Sequence, residues 1–409
     1  MTEPDATTND SNAVPLTSPR EGLPALTVDS VGLVAVAEAL ANGCGAVAVD
    51  TERASGYRYG QSAYLLQFRR AGSGTSLVDP VDIHDFTPLQ AAIGGAEWII
   101  HSALQDLGCL HDLGLSPAYL FDTEHAAKLL GKPRFGLSAL VESELGFSLA
   151  KEHSAADWST RPLPPEWLNY AALDVELLVE LRDTLAEQLD AAGRWEWAQQ
   201  EFAHLNAWRA PAPDAEPWRR TSGIHRATKP SQLAVVRALW QARDLMAQEK
   251  DKAPGRLLPD AGIVDIARLP QPTVSAIKAL PTLRNRGHKA LAEHWSRVVE
   301  EALALPPAMR PGPNPKSNGY PPPKAWADRF PEAAQRWGAI RPALNEQAES
   351  LGIPPEVLVS PEAIRRLCWE PGDALVDEQQ LGTWLSAQGA RQWQCELVVP
   401  TILAAAAQQ

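Results

Sequence analysis

Two proline-dense stretches constrain this 409-residue chain more than any other feature. Residues 207–217 read Ala-Trp-Arg-Ala-Pro-Ala-Pro-Asp-Ala-Glu-Pro, and residues 306–323 run from Pro306-Pro307 to the triplet Pro321-Pro322-Pro323. Proline has no N–H and a fixed φ, so neither stretch continues a helix or a strand ladder. The second also favours an extended, semi-rigid spacer that would hold two bodies apart. The chain is therefore expected to comprise bodies at 23–206, 218–305 and 324–409, joined by linkers at 207–217 and 306–323. A length too great for one ordinary core agrees with that division. Residues 1–22 are polar, without the basic start and apolar run of a secretory leader, and are expected to be a disordered tail on a cytoplasmic protein.

Within 23–206, short apolar runs such as Ala46–Val49, Tyr64–Phe68 and Trp98–Ile100 alternate with helical patterns, the signature of an α/β domain. Residues 218–305 are helical almost throughout, with Ser231 expected to cap the helix that follows it, and 324–409 are helical again. No run of 18 uncharged apolar residues exists, so no membrane span is expected. The cysteines Cys44, Cys109, Cys368 and Cys395 lack the spacing of a zinc site or a disulfide framework and are expected to be buried thiols. A net charge of -13 excludes coating of nucleic acid by bulk positive charge. Thr221 to Glu300, however, holds 13 Lys and Arg against 7 Asp and Glu, whereas Lys324 to Gln409 holds 7 against 11. The middle body is the expected polyanion-facing surface.

The chemistry gathers at four carboxylates. Asp50 and Glu52 follow the apolar run Ala46–Val49, and residues i and i+2 of a strand share one face. Two carboxylates projecting together raise each other's pKa unless a cation lies between them, and Mg²⁺ or Mn²⁺ prefers such oxygen ligands. The same tripeptide at Asp122–Glu124 opens an amphipathic helix, where Asp122 has the ordinary duty of an N-cap. Asp106 follows Ile99-Ile100-His101, where a strand runs into a helix that Ser102 and Gln105 would close with a capping box. A single helix from Glu166 to about Leu189 would carry Tyr170, Asp174, Leu177, Leu181 and Leu185 on one face. An aspartate in an apolar stripe needs a partner or a metal. Carboxylates from strand ends and a helix, with a tyrosine to orient water and no covalent nucleophile, suit a two-metal phosphodiesterase.

These residues resemble the tyrosine subgroup of the DEDD 3′-to-5′ exonucleases, and the ribonuclease D branch in particular. The resemblance lies in Val49-Asp50-Thr51-Glu52, His101–Asp106 and Tyr170–Asp174, with Phe121-Asp122-Thr123, Gly136–Leu140 and Asp157–Leu163 between the last two. It implies an α/β ribonuclease H-like exonuclease domain, a mixed sheet flanked by helices. Asp50, Glu52, Asp106 and Asp174 would bind two divalent ions, Mg²⁺ or Mn²⁺, and Tyr170 would position the attacking water. Thr51, Gln67, His101, Lys151 and Trp158 are the implied contacts to the terminal nucleotides. Leu239–Asp244 and Gly255–Asp260 resemble an all-α HRDC domain, where Arg243, Lys252 and Arg256 would face nucleic acid. Residues 324–409 resemble a second HRDC-like helical domain less closely. The implied activity is exoribonucleolytic trimming of RNA with a free 3′ end, such as tRNA precursors, by a cytoplasmic monomer that releases nucleoside 5′-monophosphates and uses no small-molecule cofactor. A DNA exonuclease of the Werner type is the alternative, and an inactive RNA-binding scaffold a third reading.

Overall fold

The computed structural model describes residues 13–149, 155–212, 214–283, 285–313 and 320–407. Lys151 and the middle of the second proline-rich stretch lie outside the described residues. The chain forms two compact units: one from Met1–Glu52, Ala63–Arg209 and Tyr320–Gln409, the other from Arg53–Ser62 and Ala210–Gly319.

The first unit opens with β1 (Val14–Leu16), β2 (Leu26–Thr27), α1 (Ser30–Asn42), β3 (Cys44–Arg53), β4 (Ala63–Ala71), β5 (Gly74–Val78), α2 (Thr87–Ile93) and β6 (Glu97–Ile100). It continues through α3 (Leu107–Asp112), β7 (Tyr119–Asp122), α4 (Thr123–Leu129), α5 (Leu137–Leu140), β8 (Phe147–Leu149), α6 (Pro165–Glu176), α7 (Leu178–Ala191) and α8 (Trp195–Asn206). Six strands make one mixed sheet in the order β2-β5-β4-β3-β6-β7. β4 and β5 run antiparallel, while β3, β6 and β7 are parallel, Val47 standing beside Trp98 and Ile99 beside Phe121.

Strand alternation divides the core. Val47, Val49, Phe68, Trp98 and Ile100 pack on one face against Leu33 and Leu40 of α1, Leu89 of α2 and Leu110 of α3. Ala48, Ile99 and Phe121 point to the other, against Ala126, Leu181, Leu185 and Phe202 of the later helices. Both faces are covered, which is why β3 reads as a continuous apolar run.

Several expectations are revised. Residues 13–22 are not a free tail: β1 pairs in parallel with β8, and Asn169 donates to the Thr17 carbonyl. Residues 324–407 pack onto the first body, Ile340, Leu344, Leu367 and Ile402 sharing a core with Leu181 and Phe202. Arg194 ties the two segments by donating to the carbonyls of Leu129 and Leu351, the ends of two helices. The helix expected from Glu166 to about Leu189 breaks at Leu177 into α6 and α7. Cys44 is exposed rather than buried.

The second unit is helical apart from its loops, its longest helix running Pro230–Glu249. Pro230 takes the first helical position and Gln232 accepts from the N–H groups of Thr228 and Lys229, so Ser231, the expected cap, lies inside the first turn. The loop 53–62 belongs here: the Ala253 N–H donates to the Tyr57 carbonyl, and Arg256 donates to the Gly56 carbonyl with its guanidinium over the Tyr57 ring. Among the described residues no helix is long and apolar enough to cross a membrane.

Candidate active site

Period-two geometry sends Asp50 and Glu52 from the end of β3 to the face where α6 packs, and Thr51 to the opposite face. One ligand oxygen each from Asp50, Glu52 and Asp174 lie within 4.8 Å of one another. Asp174 stands one turn beyond Tyr170 on α6, and the Tyr170 hydroxyl hydrogen-bonds its carboxylate. Desolvation by the surrounding protein raises the Asp50 carboxyl well above its ordinary range, with Asp106, Asp174 and Glu52 adding repulsion. Desolvation also pushes Asp174 up to about 7, the Tyr170 hydrogen bond working against it. Burial and the carboxylates of Asp174, Glu52 and Asp50 raise the Tyr170 phenol, which stays protonated. The group can orient a water but cannot act as a base.

Asp106 approaches from the α3 side. It is buried, and the Thr51 hydroxyl donates to its Oδ1 at 2.6 Å. The expected capping box is absent: Ser102 adopts left-handed backbone, φ 63°, a short 3₁₀ turn spans Ala103–Gln105, and Gln105 merely donates to the Ser102 hydroxyl. Asp106 becomes the residue before α3.

The expected nucleotide contacts fare unevenly. The Thr51 hydroxyl is spent on Asp106 and lies 3.3 Å from the Cys109 thiol. His101 Nδ1 lies 2.9 Å from the Thr123 hydroxyl, and burial lowers its pKa. Trp158 is fully buried against Trp167 and Tyr170, so it packs the floor beneath α6 instead of presenting a face to a base. Its carbonyl accepts from Arg161, whose guanidinium grips Asp79 with two hydrogen bonds. Gln67 is also fully buried, and neither amide atom has a partner among the described residues. Arg243 is buried too, its guanidinium bonded to the Leu258 carbonyl and Asp260. It belongs to the packing of its own unit, while Lys252 and Arg256 stay exposed. Sequence reasoning missed Glu176, a wholly buried carboxylate on α6 paired with Arg69 at 3.2 Å. The basic run Arg69-Arg70 on a buried strand is the signal that such a partner was needed.

A mixed sheet that delivers a pair of carboxylates beside a helix-borne aspartate and tyrosine defines a 3′-to-5′ exonuclease, and comparisons with known proteins agree. Residues 27–190 match the family model described as 3′-5′ exonuclease, residues 232–299 the HRDC domain, and residues 319–406 the 3′ to 5′ exonuclease C-terminal domain. The last segment thus matches a domain model of its own at the place where a further helical domain was expected. Ribonuclease D of Gluconacetobacter diazotrophicus is 31% identical over 80% of this chain and 81% of its own. A crystal structure of a protein from Bifidobacterium adolescentis is 38% identical with a TM-score of 0.86, covering 97% of this chain and 100% of that one. The structure of Escherichia coli RNase D, described as an exoribonuclease involved in structured RNA processing, is 24% identical with a TM-score of 0.67 over 94% of this chain and 98% of that one, a likeness of fold. This chain belongs to the ribonuclease D family. It is a metal-dependent 3′-to-5′ exoribonuclease.

Proposed function

We propose that the enzyme trims 3′ extensions of structured RNA, tRNA precursors among them, using two divalent ions, Mg²⁺ or Mn²⁺. The observation that carries the site reading is the convergence of one oxygen each from Asp50, Glu52 and Asp174 within 4.8 Å, while desolvation raises both Asp50 and Asp174 and neighbouring carboxylates add repulsion at Asp50. An all-oxygen donor set of this kind suits a hard cation, whose charge would relieve the repulsion. Asp50, Glu52 and Asp174 would hold one ion, with Asp50 and Asp106 holding the second. When bound, the ions supply an ionised water at neutral pH and stabilise the departing 3′-oxygen.

The protein's own contributions are positional. Tyr170, kept protonated with its O–H directed at Asp174, offers its oxygen as an acceptor that orients the attacking water without taking its proton. Thr51 fixes the direction in which Asp106 points. Exposed Lys252 and Arg256, within a middle segment of positive balance, would grip the RNA backbone.

The test is a 5′-labelled RNA incubated with purified enzyme in Mg²⁺ or Mn²⁺. Stepwise shortening from the 3′ end is expected, with nucleoside 5′-monophosphates released, and Asp50→Asn should leave the RNA intact with the fold unchanged. Single-stranded DNA of the same sequence is expected to be cut more slowly; faster cutting of the DNA would overturn the substrate assignment. A precursor tRNA trimmed no faster than an unstructured RNA would overturn the structured substrate.

A further inference from the structure

The second Asp-Thr-Glu, at Asp122–Glu124, does more than cap a helix. We propose that Asp122 is a positioning residue for the exonuclease reaction, holding the left-handed turn at Ser102 and thereby fixing Asp106 at the metal site. The inference rests on the reading of Asp106 given above.

β6 and β7 are parallel neighbours, with Ile100 paired to Asp122, so the two strands end side by side. From that end the 3% exposed Asp122 carboxylate accepts four backbone N–H groups. Oδ1 takes those of Glu124 at 2.9 Å and His125 at 3.0 Å, the ordinary capping of α4. Oδ1 also takes the Ser102 N–H at 3.2 Å, and Oδ2 takes that of Ala103 at 2.8 Å. The second pair of bonds crosses to the chain leading into Asp106.

That chain needs holding. Ser102 has φ 63° and ψ 52°, a conformation that residues with a Cβ visit rarely and that persists only where surrounding contacts impose it. From Ser102 the path to the ligand is short: the Gln105 N–H donates to the Ser102 carbonyl and the Asp106 N–H to the Ala103 carbonyl, both at 3.0 Å. A relaxed Ser102 would swing this turn and carry the Asp106 carboxylate away from the Thr51 hydroxyl. Only a carboxylate serves both sides, since an amide offers one oxygen and would set its NH₂ against an N–H donor. Groups that orient metal ligands from behind in this way typically change metal affinity about 10–100-fold when altered.

Calorimetric titration of the full chain with MnCl₂ and MgCl₂ tests this without relying on turnover. Asp122→Asn is expected to weaken binding about tenfold. Adding Ser102→Gly should restore most of the loss, because glycine enters left-handed backbone freely and no longer needs the clamp. Asp29→Asn, which alters the cap of α1 where Asp29 accepts from the Gly32 N–H, should leave affinity unchanged. If Asp122→Asn does not fold, Asp122→Ser gives the same comparison, since its hydroxyl still caps α4 but cannot span to Ala103. Wild-type affinity in a folded Asp122 variant would overturn the proposal, as would failure of Ser102→Gly to restore binding. A wild-type chain that takes up neither ion would bring down the metal reading itself, a result distinguishable from either of these.

Discussion

Removing Asp174 should abolish metal binding and yet stabilise the metal-free protein. The carboxyl titrates near 3.8 when unfolded and is pushed up to about 7 in the fold, chiefly by desolvation. At 1.36 kcal/mol per pH unit, holding it ionised costs the folded state about 4 kcal/mol at pH 8. At pH 5 the folded carboxyl is still protonated, while the unfolded one has largely ionised, and the cost is only about 2 kcal/mol. A folded pKa above the unfolded one means stability that is full below about pH 4 and is lost as pH rises through about 7. Asp174→Asn keeps an acceptor for the Tyr170 hydroxyl, removes the charge, and relieves Asp50 of one of its repelling neighbours. Hydrogen exchange of β3 and α6 amides in EDTA, compared with wild type at equal pH, reads this directly. The variant should exchange about a thousandfold more slowly at pH 8 but only about twentyfold more slowly at pH 5. Added Mg²⁺ should slow the wild type and not the variant. The same ratio at both pH values would refute the electrostatic account of the site, and faster exchange in the variant at pH 8 would show that Asp174 stabilises the fold.

Other substitutions probe separate parts of the structure. Thr51→Val removes the 2.6 Å hydrogen bond to Asp106, an interaction with a charged group worth about 1.5–3 kcal/mol, and should raise the Mg²⁺ concentration needed for half-maximal hydrolysis, whereas Thr51→Ser should not; identical metal dependence in both would rule out that role. Trp158→Ala should lower stability by about 3–5 kcal/mol in chemical denaturation, with Trp158→Phe recovering much of it, since the indole is fully buried. Glu201→Gln should destabilise by about 3 kcal/mol, because the buried carboxylate accepts from both Arg391 and Trp393; an unchanged denaturation midpoint would show that this network adds nothing.

How much of this was legible before the structure differed from element to element. The run Ala46–Val49 gave away a doubly covered strand and, through period two, the shared face of Asp50 and Glu52. The one-turn spacing of Tyr170 and Asp174 survives because both stand on α6, although the break at Leu177 carries no Gly or Pro to announce it. Contacts distant in sequence were not readable: β1 pairs with the far-off β8, and the apolar stripe Ile340, Leu344 and Ala348 would serve equally well for a free-standing bundle. Arg243 is a different failure. Val236, Leu239 and Ala247 lie on the same stripe of its helix, so its spacing places it inside although its charge suits a solvated face.

The two Asp-Thr-Glu tripeptides make the same point about context. Both close parallel strands of one sheet, with β6 between them. After Asp50 the chain remains extended to Arg53, so Asp50 and Glu52 are presented together to α6 and repel. After Asp122 the helix begins at once, and its unbonded N–H groups turn the carboxylate inward. The Asp122 carboxylate is spent on four backbone N–H donors. The same bonds let it govern the turn before Asp106. The start of α4, one residue beyond the strand, thus converts a would-be metal ligand into the support of another.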